Sequence, residues 1–115
     1  MSVTIYHNPR CSKSRQTLGL LQDKGLEPTI IDYLKTPPSE SELRNILREL
    51  GDSPRDLMRK NESEYKEQGL GDETLTDEQL IKAMIKYPIL IERPIVVANG
   101  KAALGRPPES VLDIL

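Results

Sequence analysis

The first third of the chain alternates between short apolar runs and an amphipathic stretch. The apolar run at residues 3–6 predicts a short buried strand, and residues 16–24 predict a helix that ends at Gly25. β-Branched residues at 29–34 predict a second strand. A strand, a helix and a strand in this order form a βαβ unit, in which the two strands run parallel.

The middle of the chain, residues 39–87, is predicted to be a block of helices. Capping boxes at residues 39–42 and 76–79 mark two helix starts, because each places Ser or Thr three positions before Glu or Gln. Ser53-Pro54 predicts a helix through about residue 59, and residues 62–68 predict a further short helix. Apolar stripes at helical spacing follow the two capping boxes: Leu43, Ile46, Leu47 and Leu50; then Leu80, Ile81, Met84 and Ile85.

Two more strands and a final helix complete the pattern. Residues 95–98 and 101–104 flank Asn99-Gly100, a strong signal for a two-residue hairpin, and Pro107-Pro108 opens a last short helix. The predicted order is therefore β-α-β, helical insertion, β-β-α. This is the layout of an α/β, thioredoxin-like fold with a mixed four-stranded sheet. We interpret residues 1–115 as a single domain that carries residues 39–87 as its insertion.

Composition narrows the possible classes of protein. The 115 residues include no Phe or Trp, so Ile, Leu, Val and a few Tyr must build the core. A net charge of −2 argues against general nucleic-acid binding. The N-terminus lacks the pattern of a signal peptide, and no apolar run is long enough to span a membrane. We therefore expect a cytoplasmic protein, and nothing in the sequence demands more than a monomer.

The single cysteine, Cys11, lies on the predicted strand-to-helix turn. Unpaired backbone N–H groups and the positive end of the helix dipole favour a thiolate there. Arg10, Lys13 and Arg15 add positive charge within one turn. A lone cysteine is most often a small buried hydrophobic residue, but this one has polar and basic neighbours. We therefore predict that Cys11 is a nucleophile.

Two neighbours of Cys11 are candidates for supporting a thiolate. His7 is the only histidine, so any imidazole partner for the thiol must be this residue, although it could equally serve only the turn. Ser14 stands where a C-x-x-C pair would place its second cysteine, and its hydroxyl could hydrogen-bond the thiolate. One cysteine also excludes an intramolecular disulfide and a cysteine-rich metal site, so a reductase built on Cys11 needs an external reductant.

Six segments taken together resemble the glutaredoxin-dependent arsenate reductase family over nearly the whole chain. They are residues 7–9 with Cys11 and residues 14–15, then 32–38, 57–61, 88–91, 93–97 and 105–107. The resemblance implies that Cys11 is the catalytic thiol and that Arg59, Arg93 and Arg106 converge on it to hold the oxyanion. It also implies a cis-proline at Pro94. Guanidinium groups suit arsenate because they remain charged and donate paired hydrogen bonds.

The resemblance further implies the reaction and its partners. Cys11 would attack arsenate to form a covalent arsenic adduct, which glutathione and glutaredoxin would resolve to release arsenite. Glutathione would act as an external reductant, with no bound cofactor and no metal. His7, Ser14 and Arg15 are the residues expected to stabilise the thiolate.

Two alternative functions remain open from the sequence. The chain could be a glutathione-dependent oxidoreductase of another oxyanion or of mixed disulfides. It could also be a non-enzymatic redox regulator that binds RNA polymerase, although such regulators commonly carry a C-x-x-C switch that Ser14 removes.

Overall fold

The computed structural model describes residues 2–115, which form two compact units. The first unit contains the chain as far as Thr36 and again from Arg93 to Leu115. The second unit is Pro37–Glu92, which includes the predicted insertion. The interpretation of residues 1–115 as one domain stays a prediction.

The first unit contains a four-stranded mixed sheet. Its strands are β1 (Val3–His7), β2 (Thr29–Asp32), β3 (Ile95–Ala98) and β4 (Lys101–Leu104), in the order β2-β1-β3-β4. β1 pairs parallel with β2 and antiparallel with β3, and β3 pairs antiparallel with β4. The predicted thioredoxin-like α/β layout is confirmed.

Strand β2 is shorter than predicted because the chain turns immediately after Asp32. The carbonyl oxygen of Asp32 accepts hydrogen bonds from the N–H groups of Lys35 at 3.0 Å and Thr36 at 2.8 Å. The Asp32 carboxylate also accepts the Leu34 N–H at 3.3 Å. These bonds satisfy the backbone locally, so it leaves the sheet at this point.

Helix α1 (Ser12–Asp23) follows β1, as the sequence predicts. With 12 residues it is the longest helix in the described part of the chain, where no helix is both long and apolar enough to cross a lipid bilayer. A 3₁₀ helix at Pro108–Ile114 takes the place of the predicted final helix. The buried core that these elements form with the sheet contains Val3, Ile5, Leu21, Val96, Ala98 and Val111.

The hairpin between β3 and β4 has the predicted two-residue turn. Asn99 and Gly100 both lie in the left-handed region, with φ of 56° and 71°. Two residues at positive φ are what a type I′ turn requires, and this turn matches the twist of the two strands that it joins.

The second unit contains α2 (Glu40–Leu50), α3 (Ser63–Glu67) and α4 (Asp77–Lys86). Both predicted capping boxes are confirmed. The Ser39 hydroxyl accepts the Glu42 N–H at 3.1 Å, and the Glu42 carboxylate accepts the Ser39 N–H at 3.0 Å. Thr76 and Gln79 exchange the same two bonds at 3.2 and 2.8 Å. The apolar faces of α2 and α4 are buried, and the two helices pack together.

The helix predicted from Ser53 to about residue 59 is wrong in extent. Only a 3₁₀ helix at Arg55–Leu57 forms, because the residues after it pair with another part of the chain. Met58 forms an antiparallel bridge with Ile91, and the Arg59 N–H donates to the Leu90 carbonyl at 2.7 Å. The backbone groups needed to extend the helix are thus committed to this pairing.

Candidate active site

Cys11 is the N-cap residue of α1, at the end of a tight loop that leaves β1. Its N–H donates to the Asn8 carbonyl at 3.0 Å, and its own carbonyl accepts the Arg15 N–H at 3.0 Å. The side chain is partly exposed. The predicted position of the cysteine beside the first helical residue is confirmed, and its sulfur faces the N–H groups of the first turn of the helix.

The surroundings of Cys11 lower the pKa of its thiol. Partial burial acts in the opposite direction and is the largest single influence on the pKa. The backbone N–H groups of Ser14 and Lys13 at the start of α1, together with the charge and a hydrogen bond of the Arg93 guanidinium, outweigh it. Each of these groups favours the thiolate over the thiol. The sulfur is therefore electrostatically prepared to act as a nucleophile.

The Ser14 hydroxyl contacts the end of β1 and the loop that follows it. It is fully buried and lies 2.6 Å from His7 Nδ1, and it accepts the Asn8 N–H at 3.0 Å. The backbone N–H of Ser14 lowers the pKa of the thiol, and support of the thiolate by the Ser14 hydroxyl stays a prediction. The sequence pattern could not reveal the contact between the Ser14 hydroxyl and His7, because the spacing of residues does not determine the rotamer of a side chain.

His7 is buried at the end of β1, and its surroundings lower its pKa. Burial is the main cause, the Arg15 charge adds to it, and the Asp32 carboxylate opposes it. A neutral imidazole that pairs with a buried hydroxyl fits a role in shaping the loop. Support of the thiolate by His7 stays a prediction.

Arg15 holds the loop through its side chain. Its Nη1 donates to the Pro9 carbonyl at 2.9 Å, which links the first turn of α1 to the segment that precedes Cys11. The Asn8 side chain fixes the same segment, since its Oδ1 accepts the Arg10 N–H at 3.0 Å. Direct stabilisation of the thiolate by Arg15 stays a prediction.

Arg93 and Arg106 are brought together by a hydrogen bond. Arg106 Nε donates to the Arg93 carbonyl at 2.9 Å, while the Arg93 side chain reaches Cys11. The Arg93–Pro94 peptide bond is cis, and so is Arg106–Pro107, which the sequence analysis did not anticipate. Two of the three predicted arginines thus lie on connected backbone segments in the same unit as the thiol.

Gly105 lets these segments approach α1 closely, and the sequence analysis missed it as a site-forming residue. Its N–H donates to the Pro94 carbonyl at 3.0 Å. A Cβ at this position would lie 2.7 Å from Pro94 Cγ and would collide with the Thr17 hydroxyl. Only glycine fits without a shift of the neighbouring atoms.

Arg59, the third predicted arginine, lies in the second unit. Its guanidinium pairs with Glu62 at 2.7 Å and lies 3.7 Å from Glu92. Its side chain retains 24% exposure, so the group is only partly withdrawn from solvent. Its part in holding an oxyanion stays a prediction.

Within residues 2–115, no group of three or more His, Cys, Asp or Glu side chains is arranged to hold a metal ion. The chemically distinctive feature of the first unit is instead a partly exposed thiol at the start of a helix, with a guanidinium beside it. This arrangement suits nucleophilic attack on an anion.

Comparison with known proteins adds a consistent set of similarities. The family model described as the ArsC family matches residues 6–114. The chain is 58% identical to the uncharacterized protein YfgD of Escherichia coli K12, over 98% of this chain and 96% of that protein. It is 52% identical to an arsenate reductase of Escherichia coli, over 99% of this chain and 81% of that protein. The structure of an arsenate reductase from Vibrio cholerae superposes with a TM-score of 0.97 at 56% identity, covering 100% of this chain and 98% of that one.

Proposed function

The chain belongs to the ArsC family, and from that membership we propose that it is a thiol-dependent reductase that converts arsenate to arsenite. The observation that carries this proposal is the setting of Cys11, whose thiol has a lowered pKa and hydrogen-bonds the Arg93 guanidinium. Relatives that are named arsenate reductase, at 52% and 51% sequence identity, support the choice of substrate. The enzyme class is therefore an oxidoreductase with a cysteine nucleophile.

The first step is attack of the Cys11 thiolate on arsenic. A new sulfur–arsenic(V) bond forms, and one arsenate oxygen departs as hydroxide, which takes up a proton to become water. Negative charge collects on the remaining oxygens during the attack. In this proposal Arg93 offsets the charge, which is supported by the interaction of its guanidinium with the sulfur. Arg106 is anchored to the Arg93 carbonyl and acts as a second donor in this proposal.

The electrons come from outside the chain. Cys11 is the only cysteine, so no internal thiol can resolve the adduct. We assign this role to glutathione, which reduces the adduct to arsenic(III), and to glutaredoxin, which completes turnover with further glutathione. Overall, arsenic gains two electrons and two thiols lose one electron each to form a disulfide. One arsenate oxygen leaves as water, and Cys11 returns as the thiolate.

A coupled assay tests the proposal. Wild-type protein with arsenate, glutathione, glutaredoxin and an NADPH-dependent recycling system is expected to consume NADPH, and Cys11→Ser is expected to abolish the rate. Ser12→Ala changes an exposed neighbour in the same turn and serves as the matched control, with an unchanged rate expected. Circular dichroism verifies that each variant is folded.

Two results would contradict the proposal. Turnover retained by Cys11→Ser would exclude this thiol as the nucleophile. Wild-type protein that reduces mixed disulfides with glutathione, but not arsenate, would identify an oxidoreductase of a different substrate.

A further inference from the structure

A cavity of about 320 Å³ opens beside the loop that carries Cys11. Ligand pockets in proteins begin at about 300 Å³, so this cavity suits a small ligand. Its walls come from two segments that follow neighbouring parallel strands, the loop after β1 and the turn after β2. The residues that line it are Asn8, Pro9, Arg10, Asp32, Leu34 and Lys35.

Both walls of the cavity are held by hydrogen bonds. The Asn8 carbonyl accepts the Cys11 N–H, and the Asn8 side chain accepts the Arg10 N–H, each at 3.0 Å. The turn on the other side is closed by Asp32, whose carbonyl accepts the Lys35 N–H. A ligand would therefore meet a largely formed site, which lowers the entropic cost of binding.

The lining has an unusual balance of charge. Arg10 and Lys35 supply two cations, Asp32 supplies one carboxylate, and Pro9 and Leu34 supply apolar surface. Leu34 is 39% exposed, which is unusual for a large aliphatic side chain in this protein. A complementary ligand carries two carboxylates, one ammonium group and a short apolar segment. A simple oxyanion would satisfy the two cations but would be repelled by Asp32.

We infer that this cavity binds glutathione and presents its thiol to the adduct on Cys11. Glutathione carries two carboxylates, one ammonium group and one net negative charge at neutral pH. Its thiol is on the middle residue, between the charged ends. Arg10 lies directly before Cys11, so the cavity and the reacting sulfur share one loop. This inference rests on the proposed function, because it assigns a binding site to the glutathione that the proposed reaction uses as its reductant.

The binding experiment uses the Cys11→Ser protein and S-methylglutathione, neither of which can undergo thiol exchange. Amide resonances of Asn8, Arg10 and Leu34 are expected to shift on titration. The double variant Arg10→Gln/Lys35→Gln is expected to raise Kd at least tenfold. Lys101→Gln removes one exposed positive charge from β4, away from the cavity lining, and is expected to leave Kd within twofold. Equal Kd values in the double variant and the control would overturn the inference.

A second pair of measurements tests the role of Asp32. Asp32→Asn keeps an oxygen that can accept the Leu34 N–H but removes the charge that would meet the ammonium group. Asp32→Asn is expected to weaken binding of S-methylglutathione. It is expected not to weaken binding of an analogue of S-methylglutathione that lacks the ammonium group. Arsenate competing for the site, with an affinity that Asp32→Asn improves, would identify an oxyanion site and would overturn the inference.

Steady-state kinetics separates this inference from the proposed function. In the coupled assay the double variant is expected to raise the KM for glutathione about tenfold and to leave the KM for arsenate within twofold. Normal arsenate turnover with an unchanged KM for glutathione would defeat the cavity assignment alone. Charge-dependent binding of S-methylglutathione without arsenate turnover would support the cavity and defeat the proposed function.

Discussion

The Ser14 hydroxyl lies 2.6 Å from His7 Nδ1, and this contact joins the first turn of α1 to the end of β1. Both side chains are buried. Because the Ser14 N–H also lowers the pKa of the Cys11 thiol, one residue links the strand and the loop to the electrostatics of the sulfur. The contact therefore positions the backbone group that favours the thiolate.

Ser14→Ala is expected to destabilise the protein by about 1–3 kcal/mol, because His7 Nδ1 and the Asn8 N–H both lose their buried partner. Urea denaturation measures the change. Ser12→Ala is the control, since Ser12 is exposed in the same turn. If the two variants are equally stable, the buried contact contributes nothing to folding.

Stability is expected to fall as the pH falls below about 6.5, the ordinary pKa of histidine. The lowered pKa of His7 means that the unfolded chain binds a proton in this range while the folded protein does not. The contribution of His7 to the free energy of unfolding therefore rises with pH between the pKa of His7 in the folded protein and the ordinary pKa of histidine. Above the ordinary pKa this contribution is complete. Urea midpoints from pH 5 to 7.5 measure the effect.

His7→Gln is expected to remove that pH dependence. The chain has one histidine, so its imidazole proton resonances also report the titration directly by NMR. An imidazole that titrates at or above pH 6.5 would contradict the explanation.

Arg93→Ala is expected to raise the pKa of the Cys11 thiol, because it removes both a charge and a hydrogen bond that favour the thiolate. The rate of iodoacetamide alkylation against pH measures this pKa. Wild-type protein is expected to reach half its maximal rate below pH 8.5, the ordinary value for cysteine, with Arg93→Ala shifted upwards. A smaller shift is expected for Arg10→Ala, whose side chain faces the adjacent cavity. Identical profiles in wild type and Arg93→Ala would exclude the contact.

Arsenate is expected to protect Cys11 from alkylation, and Arg93→Ala is expected to weaken this protection more than Arg10→Ala. Arg93 contacts the sulfur that arsenate must reach, and its guanidinium can donate paired hydrogen bonds to the anion. The arsenate concentration that halves the alkylation rate measures the affinity. Equal losses in the two variants would mean that the oxyanion site has been assigned to the wrong arginine.

Gly105→Ala is expected to destabilise the first unit by about 1–3 kcal/mol through overpacking. The added methyl group would lie 2.7 Å from Pro94 Cγ and against the Thr17 hydroxyl, in a closely packed part of the structure. Gly19→Ala is the matched control, because that glycine lies within α1 with no atom within 4 Å of the added Cβ. The control is expected to gain about 0.5–1 kcal/mol from helix propensity. Thermal denaturation compares the two, and equal changes in Tm would contradict the close contact.

The elements that the sequence predicted correctly are those with local signals. The capping boxes at Ser39 and Thr76 and the turn at Asn99-Gly100 each lie within a few residues, so no distant contact is needed to recognise them. The placement of Cys11 at a helix start had the same local origin. The helix expected after Ser53 failed because Met58 bridges Ile91, a pairing that no local pattern contains.

The site was only partly accessible from sequence for the same reason. The contact between Arg93 and Cys11 joins residues that are far apart in the sequence, and only the resemblance to a family suggested it. The orientation of the Ser14 hydroxyl depends on a buried partner in β1, and the need for glycine at position 105 depends on Thr17 and Pro94. These are properties of packing, which periodicity and spacing do not encode.

The N–H groups in the first turn of α1, which lower the pKa of Cys11, also affect how a reaction at this sulfur would end. A thiol with a lowered pKa is a better leaving group, because the departing sulfur carries its negative charge more readily. While the sulfur is bonded to another atom it lacks that charge, and the Ser14 and Lys13 N–H groups no longer stabilise an anion. Release of the sulfur as a thiolate restores its negative charge. In the proposed reaction, the same few groups that lower the pKa of the thiol would therefore shorten the lifetime of its covalent intermediates and favour return of the free thiolate.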